Sequence, residues 1–335
     1  MHVLVTGGAG FIGSELVRQL AGQDVRVTVV DNLINGKHKN LESVLGPEIQ
    51  LVVADIRDEN VMAQLLSGID VVFHLACIGV RHSVQSPIET HEVNSSATLA
   101  ILLTSRQQGV KRFVYVSSSA VYGTSQTVPI TENHPTFPTT VYGASKLAGE
   151  CYTRAFWETY RFPTLVVRLF HVYGPGSRDG GNSGDVIGEF MLRSMAGKPV
   201  VIPGDDAQTR DFTFVSDAAR GILASGFSEH SVGHTFNLGS GKELQIGELA
   251  HAAARVLGKN AAAITDVESR PGQIVRFLAD TSKAKKLLDF NATVPLEQGL
   301  ARLRDWFVQQ ETSPLQLLED EAMPDQKPWS VPSHA

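Results

Sequence analysis

An α/β fold, with a doubly wound parallel sheet followed by a smaller mixed α/β substrate-side region, is what three features of this 335-residue sequence predict. Short runs that are apolar throughout alternate with amphipathic stretches. A glycine-spaced turn joins the first run to the first such stretch, and the texture becomes polar and irregular after Gly174-Pro175.

The runs His2 to Val5, Val25 to Val30, Gln50 to Val53, Val71 to Leu75, Phe113 to Val116 and Thr164 to Leu169 read as strands. Strands without polar alternation, joined by crossover helices, imply a parallel sheet covered on both faces. Helical patterns fall between them at Gly13 to Leu20, Glu59 to Leu66, Asn94 to Gln108 and Tyr142 to Tyr160. Residues 1–175 therefore read as a nucleotide-binding domain of the Rossmann type, with a later segment near 210–240 returning to it. Residues 176–310 read as mainly the substrate-binding region, and 311–335, acidic and proline-bearing, as a poorly ordered or loosely docked tail. No internal repeat is visible.

Composition narrows the function classes. A net charge of -6 with 42% hydrophobic and 19% charged residues is that of a globular protein with no global attraction for nucleic acid or an anionic membrane. A phosphate-bearing ligand must then be held by local donors. The two cysteines, Cys77 and Cys151, have neither metal-ligand nor disulfide-framework spacing, which predicts free thiols, no metal and a reducing compartment. The start resembles no signal peptide and no run approaches the roughly 20 apolar residues that cross a bilayer, so a cytoplasmic location is expected.

In Gly7-x-x-Gly10-x-x-Gly13 the first glycine permits a tight strand-to-helix turn, the second lets backbone approach a pyrophosphate, and the third lets the helix pack closely. Phe11 and Ile12 then open the helix, whose N-terminus faces the anion with free N–H groups. Asp31, 18 residues after Gly13 at the end of the second strand, suits the adenosine ribose hydroxyls and repels a 2'-phosphate, which favours NAD over NADP. Asp55-Ile56, ending the third strand, fits an adenine contact or, equally, a cap on the following helix.

Ser117-Ser118-Ser119 and then Tyr142-Gly143-Ala144-Ser145-Lys146 supply proton chemistry. Tyr142 and Lys146 are one helical turn apart on one face. A phenol with an ordinary pKa near 10 is a poor base at neutral pH, so the reading requires the Lys146 ammonium and a positive nicotinamide to lower it. A serine hydroxyl on the neighbouring strand can bond the same substrate oxygen.

With these motifs in order, together with Asp31-Asn32, His74-Leu75-Ala76, Asn94, Val121-Tyr122-Gly123, Val172-Tyr173-Gly174-Pro175 and Arg210-Asp211, the chain resembles the extended short-chain dehydrogenase/reductase superfamily, in its NAD-dependent nucleotide-sugar epimerase/dehydratase family, from His2 to about Phe307. The resemblance implies the fold and a tightly held NAD. It makes Ser118, Tyr142 and Lys146 catalytic, and puts Asn32, Leu75, Ala76, Asn94 and Ser117 beside the cofactor, with Ser119 near the sugar. Relatives that dehydrate or decarboxylate usually carry an acidic residue just before Val-Tyr-Gly; this chain has Ala120. An alanine supplies neither proton nor lone pair, so the sequence favours a 4-epimerase passing through a 4-keto sugar.

On the substrate side the resemblance points to Arg210 and Arg270 as grips for the nucleotide diphosphate, a task suited to a charged planar fork. Gln273 departs from the family's Arg-x-Gly-Asp, and His171 stands where asparagine is usual, which hints at a non-standard sugar or at tolerated drift. Arg178 falls where some uronic-acid-handling relatives bind a sugar carboxylate; a solvated loop arginine is the alternative. His82, His91 and Cys77 near the expected substrate mouth are assigned no chemistry. The expected function is an NAD-dependent nucleotide-sugar 4-epimerase acting on a UDP-hexose or UDP-hexuronic acid. A dehydratase or decarboxylase of the same family, or a non-catalytic NAD-binding sensor, are the alternatives. The resemblance also implies a homodimer packed through the helices at 94–108 and 142–160.

Overall fold

The structure, a computed structural model, describes residues 1–177, 186–203, 208–259, 264–267 and 276–320. The apolar runs form β1 (His2–Thr6), β2 (Arg26–Asp31), β3 (Ile49–Val53), β4 (Val71–His74), β5 (Arg112–Ser118) and β6 (Thr164–Leu169). Between them lie α1 (Phe11–Ala21), α2 (Glu59–Leu65), α3 (Val80–Gln85), α4 (Pro87–His91), α5 (Ala97–Gln107) and α6 (Val141–Tyr160). The helix read from Asn94 begins instead as a π turn, Glu92–Ser96, that runs from α4 into α5. Such turns carry an extra residue and often mark functional sites.

A seventh strand, Thr235–Leu238, pairs in parallel with β6. The sheet order is Thr235–Leu238, β6, β5, β4, β1, β2, β3. The chain winds outward from β1 to β3 and then returns to wind the other way from β4, which opens a crevice at the strands' carboxyl ends between β1 and β4. Both faces are covered because successive residues point to opposite sides. Val3, Val5, Val27 and Val29 enter one buried cluster with Leu16, Val17 and Leu20 of α1. Leu4, Val30, Val72 and Tyr115 enter the other, with Met62 of α2, Ile101 and Leu102 of α5 and Phe156 of α6.

The rest of the chain supplies α7 (Val186–Met195), α8 (Val215–Phe227), α9 (Ile246–Val256), α10 (Ser282–Leu288), α11 (Leu296–Val308) and α12 (Pro314–Asp320). α8 packs on α1, and Gln19 Nε2 donates to the Ser216 carbonyl across 2.9 Å. Ala284 and Leu288 of α10 join the same cluster, so the part of the chain that lies on the nucleotide-binding sheet includes this helix as well as residues 215–238. α7, α9 and α11 enclose a separate core around Phe190, Met191, Leu249, Leu300 and Leu303. Leu317 and Leu318 of α12 pack against that core, so of the two readings of the tail, poorly ordered or loosely docked, residues 314–318 fit the docked one. The remainder of that stretch lies outside the described residues.

One buried ion pair fixes α6 against the sheet. Arg168 of β6 and Glu150 of α6 are 1% and 0% exposed, and Nη2 lies 2.6 Å from Oε2. Arg168 Nη1 also donates to the Tyr122 phenol at 2.9 Å and to the Glu132 carbonyl at 3.1 Å, and Tyr122 passes its own proton to Asn237 Oδ1 at 2.6 Å. A pair this deep is stabilising only when such bonds satisfy both partners; removing one partner typically costs about 3–5 kcal/mol.

Candidate active site

The crevice is a cleft of about 650 Å³ lined by the glycine turn, the ends of β2, β3, β4 and β5, the start of α6, and His171, Phe212 and Phe277. Gly7, Gly10, Phe11, Ile12 and Gly13 all line it. The turn has no room for side chains: Gly7 has φ +70°, and a Cβ on Gly13 would lie 2.2 Å from the Gly7 carbonyl oxygen. No side chain caps α1 at Gly10, and its first turn holds no acidic residue, so its N–H groups stay available for an anion. That is the fit a pyrophosphate requires.

Asp31 also lines the cleft, and it has a structural task that the sequence did not reveal. Its two oxygens accept from Ala9 N at 3.0 Å and Leu33 N at 2.9 Å, holding the glycine turn to β2. Burial raises its pKa, opposed by those two bonds. At the same end Asn32 donates to Asp55 at 3.4 Å, and Arg57 grips Asp55 through Nε at 3.0 Å and Nη2 at 2.7 Å. The Arg57 guanidinium holds the Asp55 carboxyl at about 2. α2 is capped by Asp58, which accepts from Asn60 N and Val61 N; Asp55 is not its cap. Ile56, Leu75 and Ala76 complete the wall.

Thr6 at the end of β1 accepts from Ala76 N at 3.2 Å and meets His74 Nδ1 at 2.7 Å. His74 Nε2 meets the Thr98 hydroxyl at 2.8 Å, and that hydroxyl donates to the Asn94 carbonyl, so Nε2 carries the imidazole proton. Burial first, then the Lys146 charge, push His74 down to about 3, and it is neutral. Asn94, expected beside the cofactor, stands behind the residues that line the cleft. It is 1% exposed, its amide donates to the Ile78 carbonyl and Ser145 Oγ, and its oxygen accepts from Ile78 N. It shapes the loop after β4 and ties that loop to α6.

Ser118, Tyr142 and Lys146 meet in the cleft wall, with Ser117, Ser119 and Ala120 beside them. Thr140 caps α6 by accepting from Gly143 N at 3.0 Å, which places Tyr142 in the first turn and Lys146 in the second. The Ser118 side chain stands beside the Tyr142 phenol. Burial pushes that phenol well above its ordinary pKa, Cys77 adds to the rise, and Ser118 opposes it. In the chain alone burial outweighs the lowering expected from Lys146, whose ammonium sits 4.4 Å from the centre of the Tyr115 ring. Burial lowers the Lys146 pKa, with Cys77 and Glu150 opposing.

Toward the smaller region, His171 lines the cleft between Phe212 and Phe277, with ring centres 5.7 and 5.8 Å away. Burial and the Arg210 charge push it down to about 3. His171 Nδ1 and Ser117 Oγ are buried without a hydrogen-bond partner. Among the described residues Arg210 donates to the Thr209 carbonyl and Gln208 Oε1 and to no carboxylate, and burial brings its pKa down to about 10. It stands next to His171 but outside the lining of the cleft. Arg178 and Arg270 lie outside the described residues.

The sequence did not point to Phe212, Phe277 or Arg57 as cleft residues. Phe212 directly follows the Arg210-Asp211 motif, the one signal that could have found it. His82 lines the cleft beside Glu89 and Arg57: it meets Glu89 at 2.8 Å, and Glu89 pairs with Arg57 at 3.9 Å. Cys77 lines the cleft, whereas His91 does not.

Comparison with known proteins gives this geometry its lineage. The family described as NAD dependent epimerase/dehydratase matches residues 3–239. A putative UDP-glucose 4-epimerase of Methanocaldococcus jannaschii is 34% identical over 308 residues, 91% of this chain and 97% of its own. A UDP-N-acetyl-alpha-D-glucosaminuronate decarboxylase of Bacillus cytotoxicus is 35% identical over 320 residues, 91% of this chain and 97% of its own. The crystal structure of a Bacillus cereus UDP-glucuronic acid 4-epimerase with UDP-glucuronic acid and NAD superposes with a TM-score of 0.85 at 31% identity, covering 92% and 99% of the two chains. This chain belongs to the NAD dependent epimerase/dehydratase family.

Proposed function

We propose that the protein is an NAD-dependent UDP-sugar 4-epimerase whose acid/base is Tyr142, assisted by Ser118. The observation that carries this reading is the meeting of Ser118, Tyr142 and Lys146 in a cleft wall where Ala120 stands in place of a second acid or base. Among the described lining residues the carboxylates are Asp31, Asp55 and Glu89, which hold the glycine turn or Arg57 at the cofactor end. Loss of water or carbon dioxide is then without a proton relay beyond the tyrosine itself.

NAD supplies the acceptor and then the donor of hydride at the sugar's fourth carbon. Asp31 and the N-terminus of α1 hold its adenosine ribose and pyrophosphate, and Lys146 holds its nicotinamide ribose. Tyr142 takes the proton of the 4-hydroxyl as the alcohol becomes a ketone, Ser118 bonds the same oxygen, and Tyr142 returns the proton after the sugar has turned its other face. The phenol is held above its ordinary pKa in the chain alone, so a positive charge beside it is needed before it acts as a base. Arg210, a largely buried guanidinium bonded to no carboxylate among the described residues, grips the diphosphate, and His171 faces the sugar side. Such a site favours UDP-hexose or UDP-hexuronic acid, the substrate class that two of the compared relatives are named for.

Incubation with a panel of UDP-sugars tests this directly: product of unchanged mass but altered 4-stereochemistry by NMR is expected, and a mass loss of water or carbon dioxide would replace the reading with a dehydratase or decarboxylase. A sensor without chemistry would show NAD binding and no turnover of any sugar. We also propose a cytoplasmic homodimer joined through α5 and α6. The half-exposed Leu99 and Leu103, one turn apart on α5, and Arg106 stacked 4.3 Å over Tyr160 of α6 support that face. The free thiols of Cys77 and Cys151 suit a reducing compartment.

A further inference from the structure

The Lys146 ammonium presents an unusual problem. It is 2% exposed, and Glu150, the carboxylate one turn along α6, is held by Arg168. A buried cation needs a counterpart. Facing it are Glu150 from its own helix, His74 from β4, Cys77 from the loop after β4, and Tyr115 from β5. Of these, His74 is neutral, and the Tyr115 ring lies directly beneath the nitrogen at 4.4 Å from its centre.

That ring is clamped. Its hydroxyl donates to the Lys146 carbonyl across 3.2 Å, joining one residue's backbone and side chain to one aromatic group. Gly149 makes the approach possible, since a Cβ there would lie 2.2 Å from the Tyr115 hydroxyl oxygen. The His74 ring lies 5.8 Å away on the same side of the sheet. Backbone, ring and ammonium thus form a single rigid unit at the junction of β5 and α6.

We infer that Tyr115 is a positioning residue for Lys146, using the face of its ring to seat the ammonium while leaving all three N–H donors and the full positive charge available to the cleft. The inference rests on the reading of Lys146 as the nicotinamide-ribose ligand. A carboxylate in the same place would spend the donors and neutralise the charge; an aromatic face attracts the cation through its quadrupole and does neither. The hydroxyl sets where the ring sits, and the face sets where the ammonium sits.

Two measurements on the full chain test this without any sugar: NAD affinity of the apoprotein by calorimetry, and the pH dependence of Lys146 acylation by mass spectrometry. Tyr115→Phe keeps the face and should bind NAD within about twofold of the parent. Tyr115→Leu should weaken NAD roughly tenfold and move Lys146 half-titration down by about one pH unit. Because the leucine variant can fail to fold, a second series replaces Tyr115 by phenylalanines carrying one, two and three fluorines, which drain the ring face with little change of shape. NAD affinity and Lys146 titration should fall stepwise along it. Values that stay level along the fluorine series, or a Tyr115→Phe loss as large as that of the leucine variant, overturn the inference. A chain that passes these tests yet converts no sugar would sink the epimerase reading while leaving the seat of Lys146 intact.

Discussion

The two ends of the cleft differ in what their polar groups have already found. At the cofactor end nearly every one is bonded to another part of the chain: Asp31 to the glycine turn, Asp55 to Arg57 and Asn32, His82 to Glu89, Asn94 to Ile78 and Ser145. From β5 toward the smaller region the pattern reverses among the described residues, with Ser117 Oγ and His171 Nδ1 orphaned and Arg210 bonded to no carboxylate. The first end is preorganised and its shape is set by folding. On the proposed function the second is left for a ligand to complete, and its groups bear a desolvation cost that binding would relieve.

The sharpest way to break the comparison is Tyr142→Phe, which removes the proton donor and acceptor but no framework bond. It should lower kcat by roughly 10²- to 10⁴-fold with NAD affinity unchanged; a loss of NAD binding would move the phenol into the framework. Asn94→Leu does the opposite. It strands the Ile78 N–H and carbonyl, so chemical denaturation should show a loss of about 3 kcal/mol, and weakened NAD binding should follow from the altered loop.

Arg210→Ala should raise KM for the nucleotide sugar roughly 10- to 100-fold, with little change in kcat and no loss of thermal stability, since among the described residues the guanidinium leaves no carboxylate behind. A stability loss comparable with that of Asn94→Leu would show that Arg210 belongs to the preorganised half. Acid pH probes both ends through His74 and His171, each at about 3 when folded and about 6.5 when unfolded. The unfolded chain then binds more protons between these values. Stability is full above about pH 6.5 and falls toward pH 3 by up to about 1.4 kcal/mol per unit for each histidine. His171→Asn, read by denaturation at pH 7 and 5, should remove one of the two contributions. The smallest effect belongs to Arg57→Ala, whose partners are about a third exposed or more. Less than about 1 kcal/mol of stability should be lost, with a modest, salt-sensitive decline in NAD affinity.

Much of this was legible in the sequence, for identifiable reasons. Strands apolar on both faces announce a covered parallel sheet, and the glycines, Asp31, Ser118, Tyr142 and Lys146 are residue types whose spacing reports their chemistry. The Arg57–Glu89 and Glu150–Arg168 pairs were hidden, because they join distant segments and leave no local pattern. Tyr115 was hidden for a different reason: inside Phe113-Val114-Tyr115-Val116 it reads as one more core residue, and only the fold brings Lys146 over its face. α12 escaped notice because seven residues in a polar setting carry too little periodicity to stand out.

The π turn at Glu92–Ser96 fixes the chain length of this stretch more strictly than its sequence. Deleting one residue there would let α4 and α5 join as an uninterrupted α-helix, a gain in regular backbone. It would also swing whatever side chain then stood at position 94 by about 100° around the axis, away from Ile78 and Ser145. Relatives of this chain should accordingly tolerate substitutions in the turn more readily than a change in its count, a pattern that insertion and deletion libraries across residues 90–100 would expose.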